Sequence, residues 1–206
     1  ELDIAMRLSP ESWEVNKEAA RLYYRQRRLE EAALHLARAT QIVEADFHGW
    51  GMLLACYLAK GAAAEARACA EKVIGQVVGV VERDPGNGIA LAIGANCFAM
   101  LEQWDDARQW IALAEQRDPD NLFMRYNLGF GLAAIFNEPD AAIRMLEPVF
   151  KRGGPSTIRL AASDPNLDSL RGDACFQRMM AGAIERLGLD PDPATSPPAS
   201  VAPPRS

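Results

Sequence analysis

The sequence predicts an all-α solenoid built from antiparallel helix pairs and closed by a C-terminal capping helix. Its composition favours helices, because 35 of the 206 residues are alanine, the residue with the highest helix propensity. Threonine, which favours strands, occurs only at Thr40, Thr157 and Thr195. The second observation is an apolar pattern that recurs at a period typical of helical hairpins.

Four stretches of the chain share an alanine that is followed, four and seven residues later, by apolar side chains. The alanines are Ala32, Ala66, Ala107 and Ala142, and the steps between them are 34, 41 and 35 residues. Offsets of four and seven place side chains on one face of a helix. The pattern therefore predicts one amphipathic helix in each of four successive units.

A first helix is predicted before each of these second helices. Tyr23, Tyr57 and Phe98 lie nine residues before the first three alanines, and an alanine precedes the first and third aromatic by three positions. A small residue lets two helices approach, and the aromatic ring fills the space beside it. Gly129 takes the small position in the fourth unit if the loop near residues 137–139 holds one extra residue. The predicted hairpins span about residues 13–46, 47–87, 88–121 and 122–153.

The third unit resembles the tetratricopeptide repeat, a helix-turn-helix unit of about 34 residues. The residues that carry the resemblance are Leu91, Ala95, Phe98, Ala107, Ile111, Ala114 and Pro119. The other units keep parts of this signature, and residues 1–10 are similar to the end of a preceding repeat. The resemblance covers residues 1–153 and implies a right-handed superhelix whose concave groove is lined by the first helix of every pair.

The stretch "RDPDNLFMRYNLG" at residues 117–129 is predicted to close the third hairpin in a turn at Pro119 and to begin the first helix of the fourth hairpin with "NLFMRYNLG". Asp118 and Asp120 offer turn and N-cap oxygens on either side of Pro119. A calcium loop that began at Asp118 would need glycine and glutamate at the positions of Phe123 and Gly129. The sequence therefore favours the turn over the metal site.

The second unit is longer than the first by seven residues, which lie between Glu71 and Pro85. Seven residues are about two helical turns, so a longer second helix keeps its apolar face in register. Gly75 and Gly79 lie one turn apart on this extension. They predict either tight packing against a neighbouring helix or a protruding helix end.

Residues 154–188 are predicted to cap the array after the break at Gly153, Gly154 and Pro155. A final helix from about Asp173 to Leu187 carries apolar residues at helical spacing. Three aspartates precede or begin it, at Asp164, Asp168 and Asp173. A catalytic carboxylate cluster is one interpretation, but turn and cap residues with Arg171 as a charge partner are favoured. The tail at 189–206, rich in proline, alanine and serine, is predicted to be disordered.

Charge and motif content point away from several functions. A net charge of −6 with a pI near 5.1 predicts no nucleic-acid partner, and the lack of an 18-residue apolar stretch predicts no membrane insertion. No catalytic motif surrounds the two histidines, His35 and His48, so neither an enzyme, a cofactor nor a metal site is expected. The four cysteines form no CxxC pair, which favours reduced thiols in a cytoplasmic protein.

A partner-binding groove is the functional prediction that remains. The positions that face the groove in the tetratricopeptide family correspond in this chain to Lys17, Arg21, Tyr24, Arg25, His48, Leu58, Ile89, Asn96, Met100, Phe123, Tyr126 and Phe130. The projected lining is basic at one end and apolar at the other, which suits a peptide with an acidic and a hydrophobic end. Two alternatives stay open. "KEAARLYYRQRR" is simply a solvated, charged helix end, or Phe123 and Phe130 belong to the core between repeats.

Three functions are therefore expected in order of preference. The first is a non-enzymatic module that binds a protein segment. The second follows from "DPNLDSLRGDACFQRMM" at 164–180, which is similar to the end of tetratricopeptide regions in bacterial class III adenylate cyclases. This likeness implies a regulatory region with a catalytic domain upstream, and Glu1 in place of methionine favours a longer chain. The third is self-association, and the sequence leaves the oligomeric state open.

Overall fold

The structure, a computed structural model, describes residues 2–190, with side chains from residue 4 onward. All regular secondary structure in this part of the chain is helical and no strand is present there, which confirms the predicted all-α class. The predicted disordered tail lies outside the described residues from position 191. The α-helices are α1 Leu2–Leu8, α2 Trp13–Arg25, α3 Leu29–Ile42, α4 Phe47–Ala59, α5 Ala63–Arg83, α6 Gly88–Met100, α7 Trp104–Arg117, α8 Leu122–Ala134, α9 Pro139–Arg152, α10 Pro155–Ser163 and α11 Ala174–Leu187, and a 3₁₀ helix covers Pro165–Leu170.

The helices from α2 to α9 pack as neighbouring pairs with very regular dimensions. The first helices α2, α4, α6 and α8 have 13 residues each. The second helices α3, α7 and α9 have 14 residues, whereas α5 has 21. The extra length of α5 is the two-turn extension that the spacing predicts.

The four hairpin turns share one backbone feature. Each contains a residue in the left-handed region, at Arg27, Gly61, Glu102 and Asn137, with φ between 54° and 68°. These positions are separated by the same 34, 41 and 35 residues as the four alanines. The repeat seen in the sequence is therefore also a repeat of backbone conformation. The fourth turn, at residues 135–138, is one residue longer than the others, as the position of Gly129 predicts.

The turn at residues 118–121 is capped by a different residue from the predicted one. Asn121 is the N-cap of α8, because its side-chain oxygen accepts hydrogen bonds from the backbone N–H groups of Phe123 and Met124, both at 3.0 Å. Asp118 instead accepts a hydrogen bond from the Asn121 side chain at 2.7 Å. Asp120 pairs with Arg152 on α9 at 2.9 Å. The segment is a cap and turn, but the N-cap of α8 is Asn121 and neither aspartate.

Small residues create the closest helix contacts. A Cβ atom built on Gly129 would lie 2.5 Å from the side chain of Leu146, so α8 and α9 approach each other through this glycine. The repeated alanines Ala32, Ala66, Ala107 and Ala142 are all fully buried. Gly75 differs, because a Cβ atom there would have no neighbour within 4 Å. Tight packing at Gly75 is therefore wrong, and α5 carries this glycine on an open surface.

The C-terminal part returns to the helix pairs in two places. Helix α11 packs on α9, where the rings of Phe150 and Phe176 meet edge to face with centroids 5.4 Å apart. The 3₁₀ helix packs on α8, α4 and α9. Leu167 and Leu170 in this helix are fully buried. The C-terminal segment thus covers the last pair and also lies against the first helices.

Candidate functional site: a cavity walled by the C-terminal segment

The 3₁₀ helix and the aspartate before it form a connection between both ends of the repeat region. We call residues 164–170 the strap. Its sequence, "DPNLDSL", starts with an aspartate whose side chain accepts the backbone N–H of Asn166 at 2.9 Å. Pro165 at the first helical position has no N–H to satisfy, which suits the start of a short helix. Leu167 and Leu170 then anchor the strap in the core.

Asp164 is the centre of a buried hydrogen-bond network. Tyr24 on α2 donates its hydroxyl to Asp164 Oδ1 at 2.7 Å, and Tyr126 on α8 donates to Asp164 Oδ2 at 2.5 Å. Asp164 is only 2% exposed, and both tyrosines are buried. One carboxyl group therefore satisfies a hydroxyl from the first helix pair and a hydroxyl from the fourth.

Two further contacts hold the strap against the first helices. Asn166 Nδ2 donates to the Tyr24 hydroxyl at 2.8 Å and to the carbonyl oxygen of Ala55 on α4 at 2.9 Å. Arg27, in the turn after α2, forms a two-point pair with Asp168 at 2.8 and 2.6 Å. The predicted partner Arg171 also contacts Asp168, at 2.6 Å. The strap thus joins α2, α4 and α8, although it lies about 140 residues beyond α2 in the chain.

The environment of Asp164 changes its acid–base behaviour. Burial raises the pKa of Asp164, and the hydrogen bonds from Tyr126, Tyr24 and the Asn166 backbone oppose this shift without cancelling it. Burial and the nearby Asp164 carboxyl together raise the pKa of Tyr24 and of Tyr126 well above the ordinary tyrosine value. The two hydroxyls therefore stay protonated as hydrogen-bond donors to Asp164.

We expect a pH dependence of stability that originates at Asp164. Because its folded-state pKa lies above the ordinary value of 3.8, its contribution is fully present below that value and is lost as the pH rises through the folded pKa. The unfolding free energy of the wild type minus that of Asp164→Asn should therefore fall from acidic to neutral pH. Urea denaturation of both proteins from pH about 4 to about 7 measures this difference. A difference that grows with pH would show that the ionised carboxylate is the favoured form.

A cavity of about 680 Å³ lies between the first helices and α10. We call its lining from α2, α4, α6 and α8 the first-helix face. Nine of the twelve predicted groove residues line the cavity, and they are Lys17, Arg21, Tyr24, Arg25, His48, Ile89, Phe123, Tyr126 and Phe130. Met52 and Ile93 add apolar surface that the sequence analysis did not assign.

The basic residues at the cavity differ in how readily they can pair with an external anion. Lys17 is nearly buried, and its Nζ lies 2.8 Å from Asp46 Oδ2, which also accepts a hydrogen bond from Trp13. Arg21 is exposed and pairs with Glu18 one turn earlier. Arg25 is exposed and, among residues 4–190, forms no ion pair. Arg25 is therefore the cation most readily available to an external anion.

The two predicted phenylalanines and His48 occupy different settings. Phe130 is buried, with 4% exposure, whereas Phe123 at the cavity is 64% exposed. The core alternative thus describes Phe130 but not Phe123. His48 is exposed and packs beside Phe47, with ring centroids 4.0 Å apart, and partial burial lowers its pKa. Phe123 is therefore an exposed aromatic group at the cavity.

The remaining three predicted groove residues do not line the cavity. Asn96 is 1% exposed and donates its Nδ2 to the carbonyl oxygen of Asn127 at 3.0 Å, so it links α6 to α8. Leu58 and Met100 are partly buried and pack on the hydrophobic core. The structure gives these three side chains internal contacts.

The contribution of the C-terminal segment to the cavity is not apparent from the sequence. Ser156, Thr157 and Leu160 of α10 line it together with Asp164. No local pattern indicates this, because the segment reaches the first-helix face only through tertiary packing. The one sequence feature that could have indicated this contact is the alternation of aspartate with Leu167 and Leu170. It combines acidic and apolar side chains, as does the peptide predicted to bind the groove.

Comparisons with known proteins do not extend this picture. No protein-family model matches the sequence, and no curated protein matches it. None of the helices within residues 2–190 has the length and apolar character needed to cross a membrane. In the same part of the chain, no three His, Cys, Asp or Glu side chains gather in a way that could hold a metal ion.

Proposed function

We propose that the chain is a non-enzymatic protein-interaction module that holds a segment of a partner protein in the cavity on the first-helix face. We further propose that its helix pairs form a right-handed superhelical solenoid of the tetratricopeptide type. The uniform first helices and the recurring left-handed turn residue support this fold. In such arrays the first helices line the binding surface, which is where the cavity lies.

The proposal is carried by apolar walls that share one cavity with Arg25, a cation that forms no ion pair within residues 4–190. Ile89, Ile93, Met52 and Phe123 provide apolar lining, and Arg25 stands beside it. Aromatic and arginine side chains dominate the binding energy of many protein interfaces. A partner segment with a hydrophobic side chain and a carboxylate complements this lining, since arginine pairs with carboxylates through two hydrogen bonds.

The proposed setting of this module is the cytoplasm. All four cysteines are free thiols, and three of them are buried. Burial raises the pKa of Cys56 and of Cys69 to about 12, so these thiols behave as apolar core groups. The acidic net charge of −6 supports a protein partner over a nucleic acid.

A selection from a displayed random peptide library, followed by fluorescence anisotropy with the selected peptides, tests the proposal. We expect Arg25→Glu and Phe123→Ala to weaken binding at least about tenfold, because each removes an exposed contact at the cavity without touching the core. Arg178→Glu and Trp104→Ala are matched controls, since both residues are exposed and lie away from the cavity. The controls should stay within about twofold of the wild type. Equal losses in all four variants, or none, would contradict the proposed site.

A further inference from the structure

Helix α10 forms a fixed wall of the cavity. Its residues Ile158, Ala161 and Ala162 are buried in the core, while Ser156, Thr157 and Leu160 on the same short helix line the cavity. The strap that follows α10 is tied to three first helices. Moving the wall would expose the buried side chains and break the network at Asp164, so the cavity keeps this boundary when a partner binds.

The strap also lies against part of the first-helix face. It contacts α2 through Tyr24, α4 through the carbonyl of Ala55 and α8 through Tyr126. A peptide that ran along the first helices past these residues would have to pass through the place that the strap occupies. The cavity is bounded on the side of the strap by Asp164.

The volume of the pocket agrees with a small occupant. Cavities of about 300–1,000 Å³ enclose a drug-sized molecule, and this one measures about 680 Å³. That space accommodates a few residues of a partner but not a helix that spans the whole array. Apolar side chains provide most of the inner lining, and the charged residues that remain available come from α2.

We propose that the pocket receives a short segment of a partner protein, a few residues long, that enters with one large apolar side chain and a neighbouring carboxylate. The apolar side chain lies against Leu160, Ile93 and Phe130, and the carboxylate pairs with Arg25. Leu160 sets the upper size of the apolar side chain, because it projects from the wall that cannot retreat. This inference rests on the proposed function and adds the length and the size limit of the ligand.

The charge distribution fixes the direction of the segment. Lys17 is already paired with Asp46, and Arg21 with Glu18, so α2 offers Arg25 as its unpaired cation within the described chain. Ile89, Ile93 and Phe130 on α6 and α8 provide apolar contact across the pocket. A partner therefore places its acidic group toward α2 and its apolar group toward α6 and α8.

Two sets of synthetic peptides test the inference. The short set is acetyl-Gly-Asp-Gly-X-Gly-amide, with X as valine, leucine, phenylalanine or tryptophan. The long set carries the same five residues between two flanks of five Gly/Ser residues. Binding to the full chain is measured by titration in ¹H–¹⁵N correlation spectra, which report both affinity and the position of the shifted amides.

For the wild type we expect leucine or phenylalanine at X to bind at least fivefold more tightly than tryptophan. The flanks should change the affinity by less than twofold, because the strap blocks a longer path. Leu160→Ala should reverse this order of affinities, so that the tryptophan peptide binds about tenfold more tightly than the others. The reason is that the variant enlarges the pocket on the side of α10. Leu113→Ala is the control, because Leu113 is also partly buried in the core but does not line the cavity. It should leave the order unchanged.

Different failures have different meanings. Long peptides that bind more than tenfold better than short ones would overturn the closed pocket, and an unchanged order in Leu160→Ala would overturn the role of Leu160. Either result leaves the interaction site itself in place. If no peptide of either length shifts the amides of the cavity residues, both this inference and the proposed use of the cavity are wrong.

Discussion

We expect Asp164→Ala to lower the free energy of unfolding by about 2–5 kcal/mol, because it leaves two buried tyrosine hydroxyls without their acceptor and each unsatisfied group costs about 1–3 kcal/mol. The hydroxyls are those of Tyr24 and Tyr126, and the Asn166 backbone N–H loses its acceptor as well. Urea denaturation followed by circular dichroism measures the change. The strap should also become more accessible, so amide hydrogen exchange at residues 164–170 should accelerate in the variant.

Asp168→Ala is the matched control for this prediction. Asp168 lies in the same strap and pairs with Arg27 and Arg171, but it is exposed. Exposed ion pairs contribute about 0–1 kcal/mol, so we expect a loss of less than about 1 kcal/mol. A similar loss in both variants would mean that the strap is held by its surface charges and not by the buried network.

The second large effect is expected at Gly131, where α8 meets Asn96 on α6. A Cβ atom on Gly131 would lie 1.9 Å from Asn96 Oδ1 and 2.9 Å from its Nδ2. Because Asn96 is buried and donates to the Asn127 carbonyl, it has no open space to enter. We expect Gly131→Ala to destabilise the protein by about 2 kcal/mol, after the gain in helix propensity is included. Thermal and urea unfolding measure the loss.

For Gly182→Ala, the same replacement of glycine by alanine, we expect the opposite change in the free energy of unfolding. Gly182 is an interior residue of α11, is exposed, and would place its Cβ atom at least 4 Å from other parts of the described chain. Replacement of such a glycine stabilises a helix by about 0.5–1 kcal/mol. If both alanine variants stabilise the protein equally, the close contact between α6 and α8 does not exist.

The repeat pattern was sufficient to predict the helices from α2 to α9, but not α10 or the 3₁₀ helix. The alanines at fixed steps, the extra residue in the turn at 135–138 and the longer α5 all follow from spacing within 50 residues of sequence. Local rules determine these features, because helix faces and turn conformations depend on neighbouring residues. Tyr24, Tyr126 and Arg25 were assigned to a groove from the resemblance to the tetratricopeptide repeat, and all three line the cavity.

The wall of the cavity was not predictable from local pattern. Asp164 has the sequence context of a cap residue, and it does accept the Asn166 N–H, but its main partners lie 38 and 140 residues away. Lys17 was expected to face a ligand, and only the tertiary structure places Asp46 against it. Both contacts depend on how distant helices pack. A single sequence contains no direct signal for such pairings.

The central claim is that the strap joins the first helix pair to the fourth through one buried carboxyl group. A double-mutant cycle with Tyr24→Phe and Asp164→Ala tests it most directly, since the two residues meet only in the folded chain. We predict that the double variant is at least about 1 kcal/mol more stable than the sum of the single losses implies. Losses that add to within about 0.5 kcal/mol would contradict the contact and, with it, the closed pocket.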